Sequence, residues 1–369
     1  MVSERGASIG VVANPASGRD IRRLVAQASV FPTAEKANMV QRLLAACGSL
    51  GVDRALVSTD LAGISAATLR AVRSGRNGAW PEVGFCEDVE LTESAADTTN
   101  AVLRMRERGV DAIACLGGDG TARVAAAACG DVPLLALSTG TNNAFPRMRE
   151  ATVAGMALAL VATGRVDPGA GTRRAGVLEV RAQDRREWAL VDVCVSSERH
   201  VGSRALWNPA TISELYCTFA EPDGIGLSSV PGLLCPSARS DPHGVALRMA
   251  PPETARTAVR APLAPGLVVP VGVDDWRPLR VGERVRTAPG GVIALDGERE
   301  LELRGASTAE IELRADGPRC IDVPAVLAAA AERNLLRGDV AGVPGAGGTG
   351  TGSTGTAGTR TEGEEVSTG

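Results

Sequence analysis

Between an apolar run ending at Leu116 and a helix-like stretch beginning near Thr121, the chain reads Gly117-Gly118-Asp119-Gly120-Thr121. Three glycines in four positions let backbone N–H groups approach a polyanion with no Cβ in the way. A helix N-terminus directly behind them adds unsatisfied amides and a partial positive charge, so such a segment can cradle phosphate without a lysine. The same spacing also fits a tight strand-to-helix turn in which Asp119 or Thr121 merely caps the helix. An acidic residue inside a phosphate cradle calls for a cation or a catalytic task to offset it, and that singles out Asp119.

Two further loops carry similar chemistry. Ser138-Thr139-Gly140-Thr141-Asn142-Asn143 follows the next apolar run and is rich in neutral donors suited to ribose hydroxyls, base edges and phosphate oxygens. Asn14-Pro15-Ala16-Ser17-Gly18-Arg19-Asp20 follows the first apolar run. Loops at the carboxyl ends of parallel strands are where open α/β sheets place ligands. Three of them at one sheet edge point to a nucleotide site drawing on Asn14, Ser17, Gly117, Gly118, Gly120, Thr121, Ser138, Thr141, Asn142 and Asn143.

Farther on, Asp192 interrupts the apolar stretch Leu190–Val195, and a carboxylate buried there is costly unless paired or bound to something. Asp296-Gly297 between two strand-like runs is a strong signal for a type I′ hairpin, followed by Glu298. His243 is a lone loop histidine that reads as structural before functional.

Composition excludes other chemistries. Of 39 basic residues only Lys36 is lysine, and the two histidines are His200 and His243. No Walker-A lysine stands behind a glycine loop, a Schiff base has only Lys36 to use, and a multi-histidine metal site is not available. The eight cysteines form no C-x-x-C pair, so neither a zinc ribbon nor a thioredoxin-type site is suggested. None of the arginines stands in a motif that gives it a catalytic task. A net charge of −4 supplies no basic field for nucleic acid. The N-terminal stretch lacks a signal-peptide pattern, and no run of about 18 apolar residues spans a bilayer, so a cytoplasmic protein is expected.

The elements that must position these residues follow from hydrophobic period. Strand-like Ser8–Ala13, Ala55–Ser58, Glu82–Cys86, Ala112–Leu116 and Pro133–Leu137 alternate with helical periods. The helices fall over Ile21–Ala28, a segment after Thr33, Ile64–Arg73, Thr98–Arg108, Thr121–Cys129 and Ala151–Thr163. Repeated strand–helix units predict a doubly wound parallel α/β domain over residues 1–165. From 166 to 321 the runs are strand-like, among them Gly176–Arg181, Trp188–Val195, Val245–Met249, Leu267–Val273, Gly291–Leu295, Leu301–Arg304 and Ala309–Leu313, which predicts an all-β sandwich. Residues 322–337 read as a helix able to pack back on the first domain. The Gly/Thr-rich 338–369 reads as disordered, and its G-x-G-x-x-G spelling lacks the strand–helix context that gives that motif its mechanism.

GGDGT, preceded by NPASGRD and followed by STGTNNAFP, resembles the ATP-NAD kinase-like superfamily, which also contains the diacylglycerol and sphingosine lipid kinases. NPASGRDIRRL (14–24), LCPSARSDPHG (234–244), APGLVVPVGV (264–273) and VIALDGERELEL (292–303) are similar to its acetoin catabolism protein X branch. The resemblance implies an α/β nucleotide domain joined to a β-sandwich, with ATP and Mg²⁺ used between them. It implies phosphate binding at Gly117, Gly118, Gly120 and Thr121, and nucleotide contacts from Asn142 and Asn143. Asp119 would act at the acceptor hydroxyl or through Mg²⁺, with Asp192, Asp296 and Glu298 on the acceptor side. The function so implied is ATP-dependent phosphorylation of a small molecule, NAD first among acceptors. Val191 stands where NAD kinases carry an Asn, which keeps open a lipid or other alcohol acceptor. A non-catalytic nucleotide-binding protein attached to acetoin catabolism is the third reading. Self-association is carried over from NAD kinases in the same way.

Overall fold

A computed structural model describes residues 6–17, 27–75, 79–87, 91–197 and 208–337. The helix expected over 21–28 falls largely outside the described residues, as do Gly18–Asp20, His200 and the 338–369 tail.

Five parallel strands, β1 (Ser8–Ala13), β2 (Arg54–Val57), β3 (Glu82–Phe85), β4 (Ala112–Gly117) and β5 (Leu134–Ser138), lie in the order β3-β2-β1-β4-β5. Alternate residues of a strand face opposite sides of the sheet. Ile9 and Val11 therefore meet one layer of helices and Val12 the other, which is why β1 reads as one continuous apolar run. Helices α1 (Thr33–Ser49) and α5 (Ala151–Ala162) cover the first face. Helices α3 (Ala95–Glu107) and α4 (Asp119–Cys129) cover the second, and α2 (Ile64–Arg73) leans on α1. The helix Val323–Glu332 packs against α5, and its neighbour strand Arg319–Ile321 adds to the sheet parallel to β5. Thr172–Arg174 closes that edge antiparallel.

The strand order reverses between β1 and β4, so their carboxyl ends open a crevice at the switch point of the sheet. Helix α4 starts at Asp119, two residues earlier than its apolar period indicates, with Gly118 as N-cap. Asp119 and Gly120 thus belong to the first turn, whose amides have no acceptor four residues back.

The second half stacks a seven-stranded antiparallel sheet on a four-stranded one. Leu178, Val180, Ile311 and Leu313 of the smaller sheet share a core with Val193, Val195, Ile293 and Leu295 of the larger. Trp188–Val195, expected to be a single strand, is divided: the chain forms Arg185–Ala189 in the smaller sheet and Asp192–Ser196 in the larger. The break has a cause: the Asp296 carboxylate accepts the amides of Leu190, Val191 and Asp192 at 2.7–3.3 Å, drawing the chain out of one sheet and into the other. Among the described residues no helix is long and apolar enough to cross a membrane.

Candidate functional site

The loops after β1, β4 and β5 meet at the crevice and are stitched together. Asn14 Nδ2 donates to Thr121 Oγ1 at 2.8 Å, tying the first loop to the glycine turn. Asp119 does not cap its own helix: its carboxylate accepts the amides of Ala144 (3.0 Å) and Phe145 (2.8 Å), tying the glycine turn to the third loop. Ser17 and Thr139 hydroxyls lie 2.7 Å apart, and Thr141 Oγ1 pairs with the backbone of Ser29. Asn143 donates to Ser138 Oγ at 2.7 Å, and a Cβ added at Gly118 would meet Asn143 Oδ1 at 2.8 Å. A side chain at Gly118 would push the Asn143 amide aside, so glycine lets the two loops touch as they do.

Between them lies a cleft of about 530 Å³, lined by Asn14, Ser17, Gly118, Asp119, Gly120, Thr121, Thr141, Asn142, Asn143, Asp296 and Glu298 among others. Backbone amides of a helix first turn thus border an open space whose wall mixes polar and aliphatic groups, and amides so placed can receive phosphate. A smaller cavity of about 50 Å³ adjoins it and is lined by Asp192, Val191, Ile212, Leu227 and Leu267; Asp119, Asn142 and Asp296 border both. Two of the expected contacts lie elsewhere. Gly117 ends β4 with Thr121 against its α-carbon, and Ser138 is buried with its hydroxyl donating to Gly140 O at 2.6 Å. They shape the loops from beneath rather than line the cleft. His243 begins a strand paired with Arg280 and lines neither cavity.

The Asp296-Gly297 turn has positive φ at both residues, 51° and 75°, as a type I′ hairpin requires. The hairpin and the site are therefore one feature, because the same turn aims Asp296 inward. Burial pushes the Asp296 carboxyl up to about 8, with Asp192 and Asp119 adding to the push against the pull of Arg123 and the Val191 amide.

Residues 9–166 match the ATP-NAD kinase N-terminal domain, and residues 176–316 match the acetoin catabolism protein X C-terminal domain. The acetoin catabolism protein X of Cupriavidus necator is 42% identical over 338 residues, which covers 89% of this chain and 94% of that protein. The chain belongs to the acetoin catabolism protein X family. Its first half is accordingly a kinase-like nucleotide-binding fold, and the family's own C-terminal domain supplies the Asp192 and Asp296 side of the cleft.

In this member of the family, three cations complete the site that sequence reasoning passed over. Arg123, one turn beyond Asp119, places Nε 3.6 Å from Asp296 and donates to Glu300 at 2.8 Å. Burial works against its charge, but Asp296, Glu300 and Glu298 outweigh that and raise its pKa. Lys36, the sole lysine, is 1% exposed and donates from Nζ to the carbonyls of Asn14 (3.2 Å), Pro15 (3.0 Å) and Ser17 (3.2 Å) and to Ser17 Oγ (2.8 Å). It clamps the first loop from below. Arg239 holds the third loop from the opposite side to Asp119: it donates to Ala144 O and to Phe145 O and lies over the Phe145 and Phe219 rings. Arg239 stands within the 234–244 motif, the one signal that marked its surroundings. Arg123 was one arginine among many, and its partners lie 173 and 177 residues away in sequence.

Proposed function

We propose that this chain is an ATP-dependent kinase that transfers a phosphoryl group to the hydroxyl of a small molecule. One observation carries the reading: a large cleft over the α4 N-terminus and a small, mostly aliphatic cavity meet at Asp119. Phosphoryl transfer asks the protein mainly for alignment and charge stabilisation, and both are at hand. The amides of Gly118–Thr121 and the loop of Asn142 and Asn143 receive the nucleotide. The acceptor hydroxyl lies in the second cavity beside Asp119. Its oxygen attacks the γ-phosphorus, the bond to the β–γ bridging oxygen breaks with ADP as leaving group, and the hydroxyl proton passes to the Asp119 carboxylate. A carboxylate offers about four lone-pair sites, and the two loop amides engage part of that capacity while fixing its orientation.

The donor set fits a magnesium ion that arrives with the nucleotide. Among the described residues no group of three or more His, Cys, Asp or Glu forms a ready-made cage, and Mg²⁺ characteristically takes one or two carboxylates, phosphate oxygens and waters. Asp119 would act either at the acceptor hydroxyl, as above, or as the carboxylate that holds the ion, which would neutralise phosphate charge.

The family resemblance makes NAD the reference acceptor. Val191 and the aliphatic wall of the second cavity favour a smaller alcohol instead. A setting in acetoin catabolism comes from the relative's name and is proposed here on that basis. The test is calorimetric titration with ATP followed by transfer of label from γ-labelled ATP to an acceptor mixture. Binding with transfer, abolished in Asp119→Asn while binding persists, supports the kinase. Binding with no transfer to any acceptor leaves a nucleotide-binding regulator, and no binding refutes both.

A further inference from the structure

Asp119 and Arg123 are four residues apart on α4 and therefore share one face of the helix. The hairpin of Gly291–Leu295 and Glu298–Leu303 meets that face. Within it Leu301 and Leu303 point into the sandwich core, so the alternate residues Glu298 and Glu300 point the other way, toward α4. Arg123 Nη2 donates to Glu300 at 2.8 Å, and its Nε, buried and without a hydrogen bond, faces Asp296 at 3.6 Å. The Glu298 carboxylate rests against Gly120, where an added Cβ would stand 3.3 Å from Oε1. The buried guanidinium thus answers three carboxyl groups that the β half brings to the first turns of α4.

The contact reaches farther through Asp296, whose carboxylate accepts the amides of Leu190, Val191 and Asp192 at 2.7–3.3 Å. One line of contacts therefore runs from α4 through Arg123 and Asp296 to the backbone that carries Asp192. The helix end that bears Asp119 and the strand end that bears Asp192 line the same small cavity. Burial works against the charge of Asp296; Arg123 is the chief group opposing it, while Asp192 and Asp119 add repulsion. Arg123 thus offsets like-charge repulsion at the point where the two halves meet. An apolar side chain would fill the space but leave the hairpin carboxyl groups to push away from the glycine turn. The fork matters as well as the charge, because Nε and Nη2 address two carboxyl groups at once and an ammonium is a point charge.

We infer that Arg123 is a positioning residue: it locks the Asp296 hairpin onto α4 and so fixes Asp192 and the β-side wall of the small cavity relative to Asp119. The purpose of that alignment rests on the kinase reading; the lock itself does not. Arg123 also stands among the residues lining the large cleft, but its guanidinium is engaged by the hairpin, so nucleotide affinity is expected to depend on it little.

The experiment compares Arg123→Met, Arg123→Lys, Glu300→Gln and the Arg123→Met/Glu300→Gln double variant on the full chain. In Arg123→Met, amide exchange at 190–192 is expected to rise about tenfold while exchange in β1 stays unchanged, which separates a local release from general loosening. The Asp296 carboxyl, followed by its NMR signal, is expected to titrate about one pH unit higher. Arg123→Lys keeps the charge, so it is expected to restore most of the titration and less of the exchange protection. Glu300→Gln alone is expected to raise exchange about threefold and to add nothing to Arg123→Met, and it keeps the test informative should the methionine variant misfold. Calorimetry with a non-hydrolysable ATP analogue is expected to place every variant within about threefold of wild type. Unchanged exchange at 190–192, an unmoved Asp296 titration or strictly additive effects in the double variant overturn the inference. So does a loss of analogue affinity beyond about tenfold, which would assign Arg123 to the phosphates instead. Failure of the analogue to bind the wild type refutes the kinase reading and leaves the lock to be decided by exchange and titration.

Discussion

Lys36→Met removes a buried ammonium and leaves a side chain of similar length. Lys36 Nζ holds three loop carbonyls and the Ser17 hydroxyl within 3.2 Å from a position 1% exposed. Asn14 O keeps Ser17 Oγ at 3.0 Å as a second donor, so the carbonyls of Pro15 and Ser17 bear most of the loss. A buried polar group left without its partner costs about 1–3 kcal/mol, and water entering from the adjacent cleft recovers part of it. The net expectation is a loss of about 2–4 kcal/mol, or a fall in Tm of roughly 4–8 °C. A second effect is local. Loosening the loop releases Asn14 from Thr121, so ATP affinity should fall about tenfold, equivalent to about 1.4 kcal/mol. Thermal unfolding with and without ATP measures both effects, and amide exchange of residues 14–17 locates them. Lys36→Arg should not rescue, because a planar fork does not fit the niche of a compact ammonium. In the native wild type, amine-directed labelling should spare Lys36 until the protein unfolds. A methionine variant with wild-type Tm and wild-type ATP affinity, or rapid labelling of native Lys36, would refute the clamp.

The remaining predictions are narrower. Gly117→Ala places a Cβ 2.5 Å from Thr121 Cβ and 2.7 Å from its hydroxyl, so the first turn of α4 must shift and carry Thr121 away from Asn14. A stability loss of about 1–3 kcal/mol with weakened ATP binding is expected by chemical denaturation and calorimetry, and unchanged binding would contradict it. The Asp296 carboxyl, raised from 3.8 to about 8 when folded, contributes stability that is whole below about pH 4 and is lost as pH climbs through about 8. Asp296→Asn should flatten that part of the stability profile, and a wild-type contribution that instead grows with pH would show that Arg123 and the three amides dominate. Arg239→Met should free the Ala144–Phe145 segment, raise amide exchange there and lower transfer rate more than ATP affinity. Unaltered exchange at 144–145 would argue against its holding role.

Much of the α/β half was legible because its signals are local. β1 carries six buried residues in a row, and α2 starts and ends where its apolar period does. Gly109 in the left-handed region stops α3 just as its type suggests. The β half was harder, since its strands are set by partners far away. Trp188–Val195 looks like one strand until the carboxylate of Asp296, more than a hundred residues on, takes its central amides. Ile212–Cys217 carries Ser213 and Glu214 in its first half, which hides a central strand flanked on both sides. Within the site, the glycine turn and the neutral-donor loops could be read because backbone access depends on residue type. The cations could not. Lys36, Arg123 and Arg239 act through contacts that exist only once loops, helix and hairpin have come together.

A crystal structure of the full chain with a non-hydrolysable ATP analogue and Mg²⁺ tests the central claim most directly. The β- and γ-phosphates are expected against the amides of Gly118–Thr121, with the γ-phosphorus facing the small cavity beside Asp119. Phosphates bound elsewhere, or a γ-phosphate turned away from Asp119, would contradict it.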